Sequence, residues 1–528
     1  MAVGAAEGIT MKVPLTVGDF LDRAALVYKD RTAVVDEPGA AASLGALTYG
    51  QVAVRARGMA LALDRMGIKE NERVAIVSPN SARFLISFYG VSSYGRVLVP
   101  VNFRLMTDEV QYIVDHSGAS VLLVDPELDE ALGSVTAKER IVLDGRADAE
   151  LFAAAPPDRY PRQWSGDEDS TASINYTSGT TARPKGVQLT HRNCWLNATV
   201  FGWHTTVTDR DVYLHALPMF HCNGWGMPYA VTAMGCKQVV LRKVEGEEIL
   251  RRVDAHEVSL ICGAPAVLAA VLDAADARQR RGEPVPGHGK VRVVAAGAPP
   301  PSRTIQRIAT ELGWEFIQIY GLTETAPLLT VNRAPAEWDE LEVEERSRRL
   351  SRAGVPAVGV RVRRADGGEI LARSNHVFGG YWAQPEQTAE AVVDGWFKTG
   401  DGGDIDDHGY LTITDRRKDV IITGGENVSS IEVEDCLYQH PAVAEVAVIG
   451  VPDPKWGETV KALVVLRDGA SASGDEIIEF VRARLAHFKC PSSIEFRPSL
   501  VRTATGKLQK FKLRAPFWEG RESQVSGG

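Results

Sequence analysis

From about Arg73 onward the chain alternates short apolar runs with amphipathic helical patterns, and few architectures accept that alternation. RVAIVSP is followed by ARFLISFYGVSSYG, and RVLVPVN by TDEVQYIVDHSG and then SVLLVD. Later come KQVVLRK, EEILRRVDAHE, VSLICGAP, AVLAAVLDAAD, VRVVAAGAP, RTIQRIATELG and EFIQIYG. Strand and helix in turn imply crossover units and largely parallel sheets buried on both faces. In such sheets ligands gather at the carboxyl ends of the strands. The 528 residues exceed what one compact core accommodates and fit two or three domains. Residues 335–351, PAEWDELEVEERSRRLS, carry charge with little apolar periodicity and read as a solvated helical excursion. After Asp415 the texture changes: VAEVAVIGVPD, TVKALVVLRDG, a helix at DEIIEFVRARLA and a strand at SSIEFRPSL suggest a small α+β domain of about a hundred residues. The expected fold class is therefore α/β, a large N-terminal domain (1–417) with doubly wound, mostly parallel sheets and a small α+β C-terminal domain (418–528).

The run from Tyr176 to Val187, YTSGTTARPKGV, is suited to holding a polyphosphate. The hydroxyls of Thr177, Ser178, Thr180 and Thr181 can donate to phosphate oxygens, while Gly179 and Gly186 let backbone N–H groups approach with no Cβ in the way. Lys185 adds a mobile positive charge. Composition alone would favour a surface loop. The order argues otherwise, because the polar run follows a strand-like segment, ends in Pro-Lys-Gly and leads into a helix-start signal at Thr190. Neither GxxxxGK[ST] nor GxGxxG occurs, so the usual P-loop and dinucleotide readings lose their main support.

A net charge of −9 argues against a nucleic-acid partner and places any anion binding in a local cleft. The six cysteines are scattered, with no CxxC pair, which fits a reducing compartment. No apolar window is long enough for a bilayer, and the N-terminal residues lack a basic and an apolar export segment. A cytoplasmic protein without a transmembrane segment, monomer or homodimer, is expected. The eleven histidines show no zinc-ligand spacing.

Further stretches follow the polar loop in a fixed order: AGAPPP at 296–301, IYGLTET at 319–325, KTGD at 398–401, DRRKD at 415–419, GGENVSSIEVE at 424–434 and TATGKLQK at 503–510. With the loop they resemble, over nearly the whole chain, the adenylate-forming (AMP-binding) superfamily. The pattern is most similar to short- and medium-chain acyl-CoA synthetases and aryl acid-CoA ligases. The resemblance implies ATP, Mg²⁺ and CoA as cosubstrates and a small carboxylic acid as the partner. It also implies a C-terminal domain that swings about a hinge at Lys418.

By the same resemblance, Thr177, Ser178, Gly179, Thr180, Thr181 and Lys185 would wrap the β- and γ-phosphates. Gly297, Ala298 and Pro299 would lie along the adenine and Tyr320 would stack on it, with Gln318 and Gly321 in the same nucleotide site. Thr323 would contact the α-phosphate, and Glu324 would ligate Mg²⁺. Asp401 would accept both ribose hydroxyls, and Arg416 would reach the ribose and phosphates. Lys507 would bridge the acid's carboxylate and the α-phosphate, although by spacing alone it is one more lysine in a basic tail with Lys510 and Lys512. Gly424 and Gly425 would line the pantetheine path of CoA. One departure is Ile422, where coumarate-CoA ligases and luciferases carry lysine.

LPMFHCNGWG, residues 217–226, resembles the substrate-side motif, with His221 as the gate beside the carboxylate and Asn223 and Trp225 in the acyl pocket. Trp is more often core. The motif contains no acid to anchor an α-ammonium, so an amino-acid substrate is disfavoured. A stand-alone adenylating enzyme that passes its acid to a carrier protein, an amine or another non-CoA acceptor is the alternative.

Overall fold

The computed structural model describes residues 12–41, 43–177, 184–297, 300–416, 420–423, 426–453, 456–502 and 508–519. Among them, two large sheets are parallel through their middles. One runs Gly380–Tyr381, Lys185–Thr190, Thr171–Thr177, Val97–Val101, Arg73–Val77, Ala119–Val124, Glu139–Val142. Its last five strands are mutually parallel, and the first three are joined antiparallel. The other runs Val355–Pro356, Leu328–Asn332, Glu315–Gly321, Arg292–Ala295, Leu260–Gly263, Val212–His215, Lys237–Val240, Thr32–Val35, Ala46–Thr48, antiparallel only toward its two edges. The apolar runs thus became strands buried on both faces; every residue of Val97–Val101 is buried. Helix Ala82–Ser92 is buried on all sides, mostly apolar, with its one charge, Arg83, paired to Asp148. Ser81 starts it, its Oγ accepting the Phe84 N–H at 3.1 Å.

A third sheet departs from the expectation of parallel strands. Arg361–Arg364, Glu369–Arg373, Trp396–Ile405, Val392–Val393 and Leu411–Arg416 pair antiparallel throughout. Its turns explain it: Asp394-Gly395, both at positive φ (53° and 73°), closes a two-residue hairpin between Val393 and Trp396.

The excursion at 335–351 is helical over Val343–Leu350 but is pinned instead of solvated. Trp338 and Leu350 are buried in the core beside the nine-stranded sheet, and Trp338 stacks on Tyr410 at 5.6 Å.

After residue 420 a separate α+β unit forms. Glu426–Val428, Ile421–Thr423, Gly457–Leu466 and Val443–Asp453 are antiparallel neighbours, and Ser493–Phe496 adds in parallel. Helices Ser430–Tyr438 and Gly474–Arg482 cover a core that includes Val433, Leu437, Val448, Ala462, Ile477 and Val481. The unit touches the larger one where Asp435 Oδ1 accepts the Ser302 N–H at 3.1 Å and the Arg303 guanidinium donates to the Gln439 carbonyl at 3.1 Å. Ser429 also donates to the Thr414 carbonyl.

Candidate active site

The polar loop is the tip of a hairpin. Thr177 closes one strand and stands opposite Lys185, which opens the next. Behind this base, Tyr112 donates to the Pro184 carbonyl at 3.3 Å, and the Tyr176 hydroxyl and His116 Nδ1 are hydrogen-bonded at 2.8 Å. At Gly186 a Cβ would come within 2.9 Å of Ile174 and 3.1 Å of the Tyr176 ring, so only glycine lets the hairpin close this tightly. Thr190 begins the following helix as expected, through a reciprocal cap with Asn193.

Strand Glu315–Gly321 delivers the next group. Tyr320 donates its hydroxyl to Asp401 Oδ2 at 2.7 Å, joining the nine-stranded sheet to the antiparallel one. Asp401 is buried and lies directly across from Arg416. A carboxylate offers several acceptor positions, so the tyrosine bond fixes it without exhausting it. Gly321 approaches Pro327 so closely that a Cβ would sit 1.6 Å from the Pro327 oxygen. Gln318 is buried inside the strand, with its amide N–H on the Ile319 carbonyl at 3.3 Å. Gly297 follows strand Arg292–Ala295 at φ 95°, a conformation that favours glycine.

Beyond Gly321 the chain makes a 3₁₀ turn over Thr323–Thr325. Glu324 is held twice: its carbonyl accepts the Phe378 N–H at 2.8 Å, and its carboxylate Oε1 accepts the Tyr381 hydroxyl at 2.8 Å. The Lys185 ammonium stands 4.7 Å from the centre of the same Tyr381 ring. Burial, and then the Glu324 charge, push the Tyr381 phenol well up, so it remains a proton donor. Tyr381 carried no motif signal in the sequence; its two-residue strand is too short for any periodicity.

The substrate-side motif forms a left-handed turn. Cys222, Asn223, Gly224, Trp225 and Gly226 have φ of 46°, 51°, 58°, 60° and 78°. Such a run costs roughly 1–2 kcal/mol at each non-glycine residue. Side-chain bonds hold it: Asn223 donates to Ser173 Oγ at 2.8 Å, and Asn197 donates to the Trp225 carbonyl at 3.0 Å. Cys222 Sγ reaches the Thr323 carbonyl at 3.9 Å, so the turn abuts the Glu324 segment. Burial first, then Cys194 and Glu324, raise the Cys222 thiol well above its usual range. Trp225 is 4% exposed, within the main core. Asn80, also unmarked in the sequence, steers the chain into this turn by donating to the His215 and Leu217 carbonyls and accepting the Met219 N–H.

Ser178, Gly179, Thr180, Thr181, Ala298, Pro299, Lys418, Gly424, Gly425 and Lys507 lie outside the described residues, as does the side chain of Arg416. The described residues bring Lys185 to Glu324 through Tyr381, and Tyr320 to Asp401. No group of three or more His, Cys, Asp and Glu among them could cage a metal. A single carboxylate such as Glu324 instead suits Mg²⁺ arriving with phosphate oxygens and water.

A match to the AMP-binding enzyme family spans residues 21–382, and one to the AMP-binding enzyme C-terminal domain spans residues 432–507. The chain belongs to the AMP-binding enzyme family. Among curated members, it is 37% identical to 4-hydroxybutyrate–CoA ligase 2 of Metallosphaera sedula, over 94% of this chain and 93% of that one. It is 36% identical to a feruloyl-CoA synthase of an Amycolatopsis species, over 89% and 94%. Among solved structures, ATP-bound MatB from Rhodopseudomonas palustris superposes with a TM-score of 0.81 at 28% identity, covering 95% of this chain and 99% of that one. The Bacillus subtilis o-succinylbenzoate CoA synthetase with its acyl-adenylate gives 0.80 at 27%, covering 95% and 98%.

Proposed function

We propose that this protein activates a short- or medium-chain fatty acid or an aryl acid in two steps. A carboxylate oxygen bonds to the α-phosphorus of ATP as the bond to pyrophosphate breaks. The CoA sulfur then bonds to the acyl carbon as AMP leaves. The protein is a carboxylic acid-CoA ligase, using ATP and CoA as cosubstrates. The observation that carries this reading is the convergence of Lys185 and Glu324 on Tyr381, beside the Tyr320–Asp401 pair. One cluster then answers to the phosphate end of a nucleotide and the other to its sugar.

The chemical difficulty is that an anion must approach a polyanion. Preorganised positive groups offset that repulsion as charge develops. On this reading Lys185 and the hairpin tip take the β- and γ-phosphates, and Thr323 the α-phosphate. Bound at Glu324, Mg²⁺ would supply charge neutralisation. Tyr320, oriented by Asp401, presents its ring to the adenine beside Gly297, and Asp401 accepts the ribose hydroxyls with Arg416 across the strand pair. His221 and the turn at 222–226 face the acid. Lys507 serves adenylation; the smaller unit, turning near Lys418, brings Gly424 and Gly425 to CoA. The relatives' named acids, 4-hydroxybutyrate, 2-methylpropanoate and ferulate, support a small aliphatic or aryl substrate.

No helix among the described residues is long and apolar enough to cross a membrane. Six free, buried cysteines fit a reducing compartment, which we assign as the cytoplasm, and we propose a monomer or homodimer.

A panel of carboxylic acids assayed for pyrophosphate release, with and without CoA, tests the proposal. Small aliphatic or aryl acids should release pyrophosphate and convert CoA to thioester. Release that leaves CoA unconsumed would point to another acceptor, and no release with any acid would overturn the reading.

A further inference from the structure

Tyr381 is the structural centre of the phosphate side, yet it touches none of the atoms that react. Its backbone pairs with Val187, two residues beyond Lys185, and its N–H donates to Thr388 Oγ1 at 2.9 Å. Its ring packs edge-on against Phe378 at 4.8 Å, and Phe378 is the residue whose N–H holds the Glu324 carbonyl. Gly380 sits at φ 137°, where a Cβ would come within 3.0 Å of Thr388, so the strand is set against helix Pro385–Ala391 by a residue that must be glycine. The phenol is therefore fixed from three sides, and 8% of the residue is exposed. A glutamate on a short 3₁₀ turn has rotamer freedom that a metal ligand cannot keep without losing affinity. Tyr381 removes it.

We propose that Tyr381 is a positioning residue: its hydroxyl holds the Glu324 carboxylate in the orientation that receives Mg²⁺, and its ring holds the Lys185 ammonium. The metal ligand and the phosphate lysine are thereby set against each other by one side chain. The proposal rests on the assignment of Glu324 as the magnesium ligand. The two contacts are separable, since the hydroxyl serves the carboxylate and the ring face serves the ammonium. A partner of this kind, bonded to a metal ligand, alters metal affinity by about 10- to 100-fold when removed.

The test is calorimetric ATP binding to the full chain, first in EDTA and then across a series of Mg²⁺ concentrations, for wild type, Tyr381→Phe, Tyr381→Leu and Glu324→Gln. Tyr381→Phe keeps the ring and should bind ATP in EDTA within about twofold of wild type, while the Mg²⁺ needed for half-maximal enhancement rises about tenfold. Tyr381→Leu should show the same magnesium shift and, in addition, weaker binding in EDTA, because Lys185 has lost its support. A general folding defect would weaken both conditions together in Tyr381→Phe, and that result overturns the proposal. So does an unmoved magnesium midpoint in Tyr381→Phe when Glu324→Gln moves it. If Glu324→Gln itself leaves the midpoint in place, the magnesium assignment is wrong and the proposal falls with it.

Discussion

His191, at the start of the helix that follows strand Lys185–Thr190, is buried with its Nδ1 already engaged. Its Nδ1 accepts the Val17 N–H at 3.3 Å and its ring lies 4.9 Å from Trp164. Burial lowers its pKa from 6.5 to about 4, and burial does the same to His215, which bonds Gln238 at 3.0 Å. Above pH 6.5 folded and unfolded chains are both neutral at these sites. Between pH 6.5 and 4 the unfolded chain takes up protons that the folded chain refuses, so stability falls as the solution is acidified. Each histidine should cost roughly 2 kcal/mol between pH 7 and pH 5. Urea unfolding at the two values measures it: His191→Gln should flatten the pH slope by about one histidine's share, and an unaltered slope would refute the assignment.

Helix Gly246–His256 shows how far an element can be read from its letters. EEILRRVDAHE announces an amphipathic helix, and Ile249, Leu250 and Val253 indeed face the core. The same face includes Arg252, whose side chain is 2% exposed and bonds Glu37, Glu248 and the Val240 carbonyl. Removing it takes one donor from Glu37, which is 18% exposed and still accepts the Arg242 N–H, and one from the Val240 carbonyl. Arg252→Met should therefore lower stability by about 2–3 kcal/mol, against under about 1 kcal/mol for Arg251→Met, whose side chain is 54% exposed. Chemical denaturation of both variants decides it, and equal losses would contradict the burial argument. What was legible follows the same division. The parallel sheets were readable because their central strands are apolar runs, as at Val97–Val101, and the order of motifs is what singled out Lys185, Glu324 and Asp401 as candidates. The antiparallel sheet was less legible, although Asp394-Gly395 marks a hairpin, because its long strand Trp396–Ile405 alternates buried and exposed residues in its first half and carries three glycines in place of an apolar run. The Trp338 anchor was hidden inside a charged run. Tyr381 acts through its hydroxyl and ring and Asn80 through its side-chain amide, and no local pattern distinguishes them from other core residues.

The two units meet where Asp435 caps the helix Ser302–Arg307 from outside it. Burial raises the pKa of this carboxyl, while its bonds to Ser302 lower it. Asp435→Ala should speed hydrogen exchange of the Ser302 amide about tenfold, the equivalent of one lost hydrogen bond to a charged group, and leave strand Val97–Val101 protected. Unchanged exchange at Ser302 would show that the cap contributes nothing to the contact. The third sheet carries a further consequence. Asp401 and its partner Tyr320 are separated by 81 residues and the other cluster is complete only at Tyr381, so on our proposed assignment the nucleotide site is assembled near the end of the large unit's synthesis. A ligand stabilises only a chain that can bind it. On that assignment ATP cannot act as a chaperone for the nascent protein, and variants that misfold before residue 401 emerges will not be rescued by raising its concentration in the cell.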